Sequence, residues 1–340
     1  MRLVALLSLL LTLPSAGRAD ETAAQGAGAF HQALVEKVAA LEKKNAAVLT
    51  AADGWSFLTS ELRFLAQGKF WGANAAQTSR ARKAADPIPA IVDFHRQLKA
   101  RGIELLLVPV PAKAAIYPEK VAPGLVVSAN GSAPSLQEFY GELRGRGIDV
   151  LDLTAVFARS RDNARGPVYC RTDSHWSGVG CAVAGEAIAQ QIRAKISALP
   201  AAREYARTWN EVSITGDLAS LAGAGPKPVP ERIAVRQIAS AVQPDANSPV
   251  LLLGDSHTLV FHDFLAERAG LLDQLTAELG FAPDLIGTRG SGATPVRISL
   301  YRRSQNDPQF LAHKKIVVWC FAAREFTEAD QGWVVQPIAK

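Results

Sequence analysis

Asp173-Ser174-His175 and Asp255-Ser256-His257 are the same tripeptide, and together they carry the residue types of nucleophilic acyl chemistry. The first lies within Thr172-Asp173-Ser174-His175-Trp176-Ser177-Gly178, a predicted loop before a helix. Extended backbone points residues i and i+2 to one side, which makes the Asp173 carboxylate and the His175 ring neighbours. A carboxylate that accepts from one ring nitrogen fixes the tautomer and leaves the other nitrogen as a base. The second follows Leu251-Leu252-Leu253-Gly254, a run expected of a buried strand, and precedes a predicted helix over 258–269. A serine at that turn stands where open α/β sheets place ligands. The helix directs its positive end at the hydroxyl, and the serine N–H is a donor for an oxyanion. Ser256, His175 and Asp173 are therefore the candidate nucleophile, base and orienting carboxylate. Two other readings stand beside this one. Asp255 and Ser256 are also residue types that cap a helix. Two Asp-x-His units also suit zinc or manganese, and in that metal-dependent hydrolase Ser256 is incidental.

These residues need a frame, and the hydropathy pattern supplies one. Apolar runs at 103–110, 148–153, 249–253, 284–287 and 315–321 predict strands, and helices are predicted over 88–100, 135–146 and 177–197. Strands alternating with helices imply an α/β fold, a doubly wound, mostly parallel sheet with helices on both faces. Residues 198–248 read as loop-rich, with Pro-Lys-Pro-Val-Pro at 226–230. Before the sheet, 20–28 reads as a flexible leader, Phe30–Leu49 as an amphipathic helix, and Asp53-Gly54-Trp55-Ser56-Phe57-Leu58 as a turn into a short strand. The expected organisation is a signal peptide over 1–19, a leader and helix over 20–50, and one domain over 51–340.

The first residues, Met1-Arg2 followed by LVALLSLLLTLP and then Ser15-Ala16-Gly17-Arg18-Ala19, have the charged start, apolar run and small-residue site of a secretory signal. The expected location is the periplasm, either free or tethered to the inner membrane. The chain of 340 residues holds 37 Lys or Arg against 32 Asp or Glu, a net charge of +5. The excess is spread along the chain, so nucleic acid is not an expected partner. Hydrophobic residues at 48% exclude a disordered or collagen-like chain. Aromatic residues at only 7% weigh against a purely sugar-binding protein.

The pairing of Thr172-Asp173-Ser174-His175-Trp176-Ser177 with a later Gly254-Asp255-Ser256 resembles the SGNH-like alginate O-acetylation proteins, the AlgJ/AlgX group. The early Asp53-Gly54-Trp55 segment, and the strand Val317-Val318-Trp319-Cys320-Phe321 followed by Arg324, are similar to that group's opening and closing segments. The resemblance covers roughly residues 50–330. It implies an SGNH hydrolase-like fold and an enzyme that moves acetyl groups onto an exopolysaccharide, alginate-like or cellulose-like, through an acyl group on Ser256. It implies no cofactor. The implied partners are the polysaccharide acceptor, a membrane-bound O-acyltransferase as acetyl donor, and other proteins of an export complex. A carbohydrate acetyl esterase is the alternative with the same three residues. No Gly-x-Asn-Asp block is present, so the oxyanion donors are sought in Thr288–Thr294, with Ser291 and Gly292 as candidates. Those glycines equally mark a plain turn. Arg324 either holds a sugar or acyl oxygen or pairs with Glu325 or Glu328. Trp176, beside His175, is the candidate sugar platform. Cys170 and Cys181 flank the Asp173–His175 loop, and export permits a disulfide between them. Two buried thiols are the other reading, and Cys320 is expected to stay reduced.

Overall fold

Among the described residues the chain forms nine strands, and two of them, in 198–248, arise where no strand-forming run is present. The computed structural model describes residues 16–125, 128, 132–223 and 229–338. Strands β1 (Val48–Thr50) and β2 (Ser56–Leu58) pair antiparallel, and β3 (Glu104–Val110), β4 (Asp149–Val150), β5 (Arg207–Ile214) and β6 (Glu231–Ile238) follow. The series ends with β7 (Val250–Gly254), β8 (Asp284–Gly287) and β9 (Ile316–Ala322).

Five of these form one sheet in the order β4-β3-β9-β7-β8, and each pair in it is parallel. Every residue of β7 and β9 is buried, as expected of strands covered on both faces. The chain steps from β3 to β4 in one direction and from β7 to β8 in the other. Right-handed crossovers then place the intervening helices, Pro134–Gly145 and Leu271–Leu279, on opposite faces. The fold is thus a doubly wound α/β sheet, as the alternation of strands and helices implies. Its carboxyl edge is functionally loaded: β3 leads to Lys113, β7 to Ser256, β8 to Thr288–Ser291 and β9 to Arg324.

Three expectations are corrected. The leader over 20–28 is helical, because a single helix runs from Ala16 to Lys43 and ends before Asn45, whose φ is 49°. The Ala-rich stretch has no proline, and extending a formed helix is cheap compared with starting one. Its Phe30, Leu34 and Val38 are buried along one face. The expected signal sequence lies outside the described residues over 1–15, and its last residues begin this helix. Among the described residues no helix is long and apolar enough to cross a membrane.

The stretch 198–248 contains an antiparallel hairpin, β5 paired with β6 from Arg207↔Ile238 to Ile214↔Glu231. Part of the proline-rich segment at 226–230 lies outside the described residues. The helix expected over 258–269 does not form. Ser256–Thr258 makes one 3-10 turn, and Phe261 (φ 64°), Leu265 (φ 64°) and Arg268 (φ 57°) are left-handed, which no α-helix tolerates.

Candidate active site

The loop Tyr169–Trp176 is a tight hairpin: Tyr169 and Trp176 form an antiparallel bridge, and Cys170 N–H donates to His175 O at 3.3 Å. Ser177 then caps the helix Gly178–Lys195 by accepting from Val179 and Gly180 N–H. This presents Asp173 and His175 side by side, as the i, i+2 spacing requires. Asp173 Oδ1 lies 2.6 Å from His175 Nδ1, and the opposite ring nitrogen, Nε2, lies 2.7 Å from Ser256 Oγ. Three side chains from two distant segments thus form one hydrogen-bonded chain.

The Asp173 carboxylate has further donors, from His175 N–H and Asp217 N–H, both at 2.9 Å. Burial alone drives its pKa up. The His175 ring and these backbone donors outweigh that and hold the carboxyl at about 2, so it is an anion at neutral pH. Gly216 makes the approach of Asp217 possible, since a Cβ there would sit 2.0 Å from Thr172 O. On the other side, Glu231 accepts from Arg171 N–H, Thr172 N–H and the Thr172 hydroxyl at 2.8–2.9 Å. The hairpin missed in the sequence is therefore what braces this loop.

The turn after β7 is held as firmly. Gly254 packs where a Cβ would lie 2.0 Å from Cys320 O, so β7 and β9 approach closely just before the serine. Asp255 is buried; its carboxylate accepts from His257 N–H at 2.9 Å and Ala322 N–H at 2.7 Å, which ties the turn to the end of β9. His257 is buried against Trp176 and the His175 ring, and burial lowers its pKa. Because the helix expected after Ser256 is replaced by a single 3-10 turn, the hydroxyl has no helix dipole behind it.

Ser256 and His175 open onto a cleft of about 570 Å³ walled by Leu58, Arg289, Ser291, Arg324 and Glu325 among others. Arg324 reaches Glu61 at 2.8 Å, an acidic partner that neighbouring residues in the sequence do not suggest. The Ser291 hydroxyl donates to Glu325, whose pKa burial raises to about 7 against the pull of Arg324. Arg289 stacks over Phe264 at 4.5 Å, and Phe264 in turn meets the edge of the His175 ring. A smaller cavity of about 380 Å³ lies elsewhere, lined by Arg171, Thr172 and Glu231 but by neither Ser256 nor His175.

Three site expectations are corrected. Trp176 is fully buried and faces Phe157 and His257, so it offers no surface to a sugar. Gly292 is buried behind the cleft; its carbonyl accepts from Trp319 Nε1 at 2.8 Å, and the glycine is needed because a Cβ would meet Phe321. Cys170 and Cys181 are separate free thiols, and Cys320 is free as well. Cys170 Sγ is turned toward Trp176 O at 3.5 Å, and burial pushes both Cys170 and Cys181 far from thiolate character.

The paired Asp-x-His metal site also fails to assemble. Among the described residues the one group spaced to hold an ion is Asp173, His175 and Asp217, without Asp255 or His257. Its oxygens already accept hydrogen bonds: Asp217 takes Ser174 N–H at 2.7 Å and the Ser174 hydroxyl at 2.5 Å, and Asp173 is occupied as above. Lys113, Asp217, Glu231 and Glu61 escaped the sequence reading because each acts across a long sequence separation.

The family model for the SGNH hydrolase-like domain of the acetyltransferase AlgX matches residues 48–321. The chain belongs to that family. The chain is 29% identical over 174 residues to the probable alginate O-acetylase AlgJ of Pseudomonas aeruginosa, covering 51% of this chain and 40% of that protein. To its Pseudomonas fluorescens counterpart it is 28% identical over 275 residues, 73% of this chain and 65% of that one. It thus spans less than two thirds of either relative. The O-acetyltransferase domain of Pseudomonas putida AlgJ superposes with a TM-score of 0.60 at 23% identity, over 82% of this chain and 92% of that one, which establishes the shared fold.

Proposed function

We propose that this AlgX-family chain is a polysaccharide O-acetyltransferase working through an acetyl group carried on Ser256. The observation that carries the reading is the contact of 2.7 Å between His175 Nε2 and Ser256 Oγ at the floor of an open cleft. Ser256 Oγ attacks the acetyl carbonyl as its proton passes to His175 Nε2, and the buried Asp173 carboxylate stabilises the imidazolium. The tetrahedral intermediate collapses, its leaving group takes the proton from His175, and acetyl-Ser256 remains. A sugar hydroxyl then gives its proton to His175 and attacks the acyl carbon, and the proton returns to Ser256 Oγ. The oxyanion is met by the Ser256 N–H and by the loop that carries Ser291.

The acceptor is an exopolysaccharide, alginate-like or cellulose-like. The cleft carries both signs of charge, Arg289 and Arg324 against Asp217, Glu325, Glu328 and Asp330, so bulk charge does not select an acidic polymer. The AlgJ names of the relatives, which concern alginate, support that side of the choice. The secretory pattern of the first residues supports a periplasmic location, free or tethered. A membrane-bound O-acyltransferase supplying acetyl groups, and other export-complex proteins, complete the proposed setting. The carbohydrate esterase reading has the same three residues and an equally open cleft, with water as acceptor.

Incubation with an acetyl ester and oligosaccharides decides between these. The transferase reading expects O-acetylated sugar, with Arg324→Ala reducing transfer more than bare hydrolysis, because only transfer needs a positioned acceptor. Turnover indifferent to every uronate and neutral acceptor assigns the esterase.

A further inference from the structure

Lys113 begins the short helix Lys113–Ile116 at the carboxyl end of β3, and it is 0% exposed. Its Nζ donates to Asp173 O at 2.7 Å and Ser56 O at 2.8 Å, with Arg171 O at 3.4 Å. An ammonium has three donors and no acceptor, and here each donor faces a main-chain carbonyl. Burying that charge is costly, and desolvation lowers the lysine pKa. Packing alone would be met by an apolar side chain of the same length. What the ammonium adds is a fixed point for two backbone segments. Ser56 N–H donates to Arg171 O at 2.9 Å, so Lys113 closes a joint between β2 and the loop that carries Asp173 and His175. This also gives the segment Asp53–Leu58 a reason to lie beside the site.

We infer that Lys113 is a positioning residue for the Ser256–His175–Asp173 chain. It holds the Asp173 main chain so that the carboxylate meets His175 Nδ1 while Nε2 reaches Ser256. It touches no reacting atom. The inference rests on the reaction proposed above, and it concerns kcat rather than substrate affinity.

Lys314 provides a matched control. It is equally buried and also makes three bonds, to Ala246 O at 2.7 Å, Ser248 O at 3.0 Å and Asp284 Oδ2 at 2.8 Å. It precedes β9 and therefore lies at the amino edge of the sheet, away from the cleft. Lys113→Met and Lys314→Met in the full chain are compared for melting temperature and for kcat and KM on a chromogenic acetyl ester. A sulfonyl fluoride that labels the nucleophilic serine counts competent sites, so unfolded protein does not enter kcat.

Lys113→Met is expected to lower kcat about 100-fold per folded chain with little change in KM, and to slow sulfonylation in parallel, as misplacement by about 1 Å would. Lys314→Met is expected to lose stability and keep its kcat. Normal kcat in Lys113→Met, or an equal kcat loss in Lys314→Met, overturns the inference. Should Lys113→Met fail to fold, Lys113→Gln, whose amide retains two donors, is judged by the same comparison. Ser256→Ala run in parallel separates the failures. Full turnover there removes the reaction and this inference together. An inactive Ser256→Ala beside a fully active Lys113→Met removes the positioning role alone.

Discussion

Asp173 shows how much one side chain is asked to do. It accepts from the His175 ring, from His175 N–H and from Asp217 N–H, and these contacts hold its carboxyl at about 2 against an ordinary value of 3.8. A carboxyl depressed on folding contributes stability that is present above its unfolded pKa and is lost as pH falls through the folded one. Stability should therefore drop between about pH 4 and pH 2, by on the order of 2 kcal/mol from this group. Asp173→Asn should flatten that part of the stability curve, as followed by urea unfolding at each pH. The same variant should lower kcat about 10⁴-fold at neutral pH, because an amide favours the wrong imidazole tautomer. An acid limb that is identical in the two proteins contradicts this assignment. The sequence made this residue legible because its partner is only two positions away. Trp176, one further along, was misplaced for a related reason: in a tight hairpin the next side chain points the other way, into the core.

At the scale of elements, sequence and structure agree where an apolar run has one available fate. The runs at 249–253 and 315–321 become β7 and β9, and the helix expected over 177–197 forms as Gly178–Lys195. Agreement ends where burial is partial. β5 buries fully only Ile214 and reads as polar loop, although β6 buries Ile233, Val235 and Ile238 behind it. Residues 258–269 carry helix-like periodicity, but the chain turns left-handed at Phe261, Leu265 and Arg268 and packs as a coil. The overlooked hairpin matters because Glu231 at its start accepts three donors from Arg171 and Thr172. Glu231→Ala removes the acceptor of the exposed Arg171 N–H and the half-buried Thr172 N–H, at a cost of about 1 kcal/mol. Its melting temperature should fall, and kcat on a small ester should fall with it, because the loosened segment leads directly into Asp173. A variant that loses stability and keeps full kcat would show that Glu231 braces the fold without bracing the site.

Over the whole molecule, the parallel sheet brings the carboxyl ends of β3, β7, β8 and β9 to one edge, and the cleft lies there. That edge was legible, since alternating strands and helices imply it and ligands bind at it. Which distant groups meet there was not: Glu61 and Arg324 stand at opposite ends of the chain, and only the completed topology pairs them. The cysteines teach the same lesson. Cys170 and Cys181 are close in sequence, yet one lies in the hairpin and the other in the helix that follows, and both are buried free thiols. The proposed reaction requires that Ser256 become covalently acylated. Its most direct measurement is the mass of the intact protein, and of the peptide containing Ser256, after rapid quenching with an acetyl ester, with and without a chelator. One acetyl group on Ser256, unaffected by chelator and absent from Ser256→Ala and His175→Ala, is the predicted result. Ester turnover that persists in Ser256→Ala and stops with chelator would contradict it.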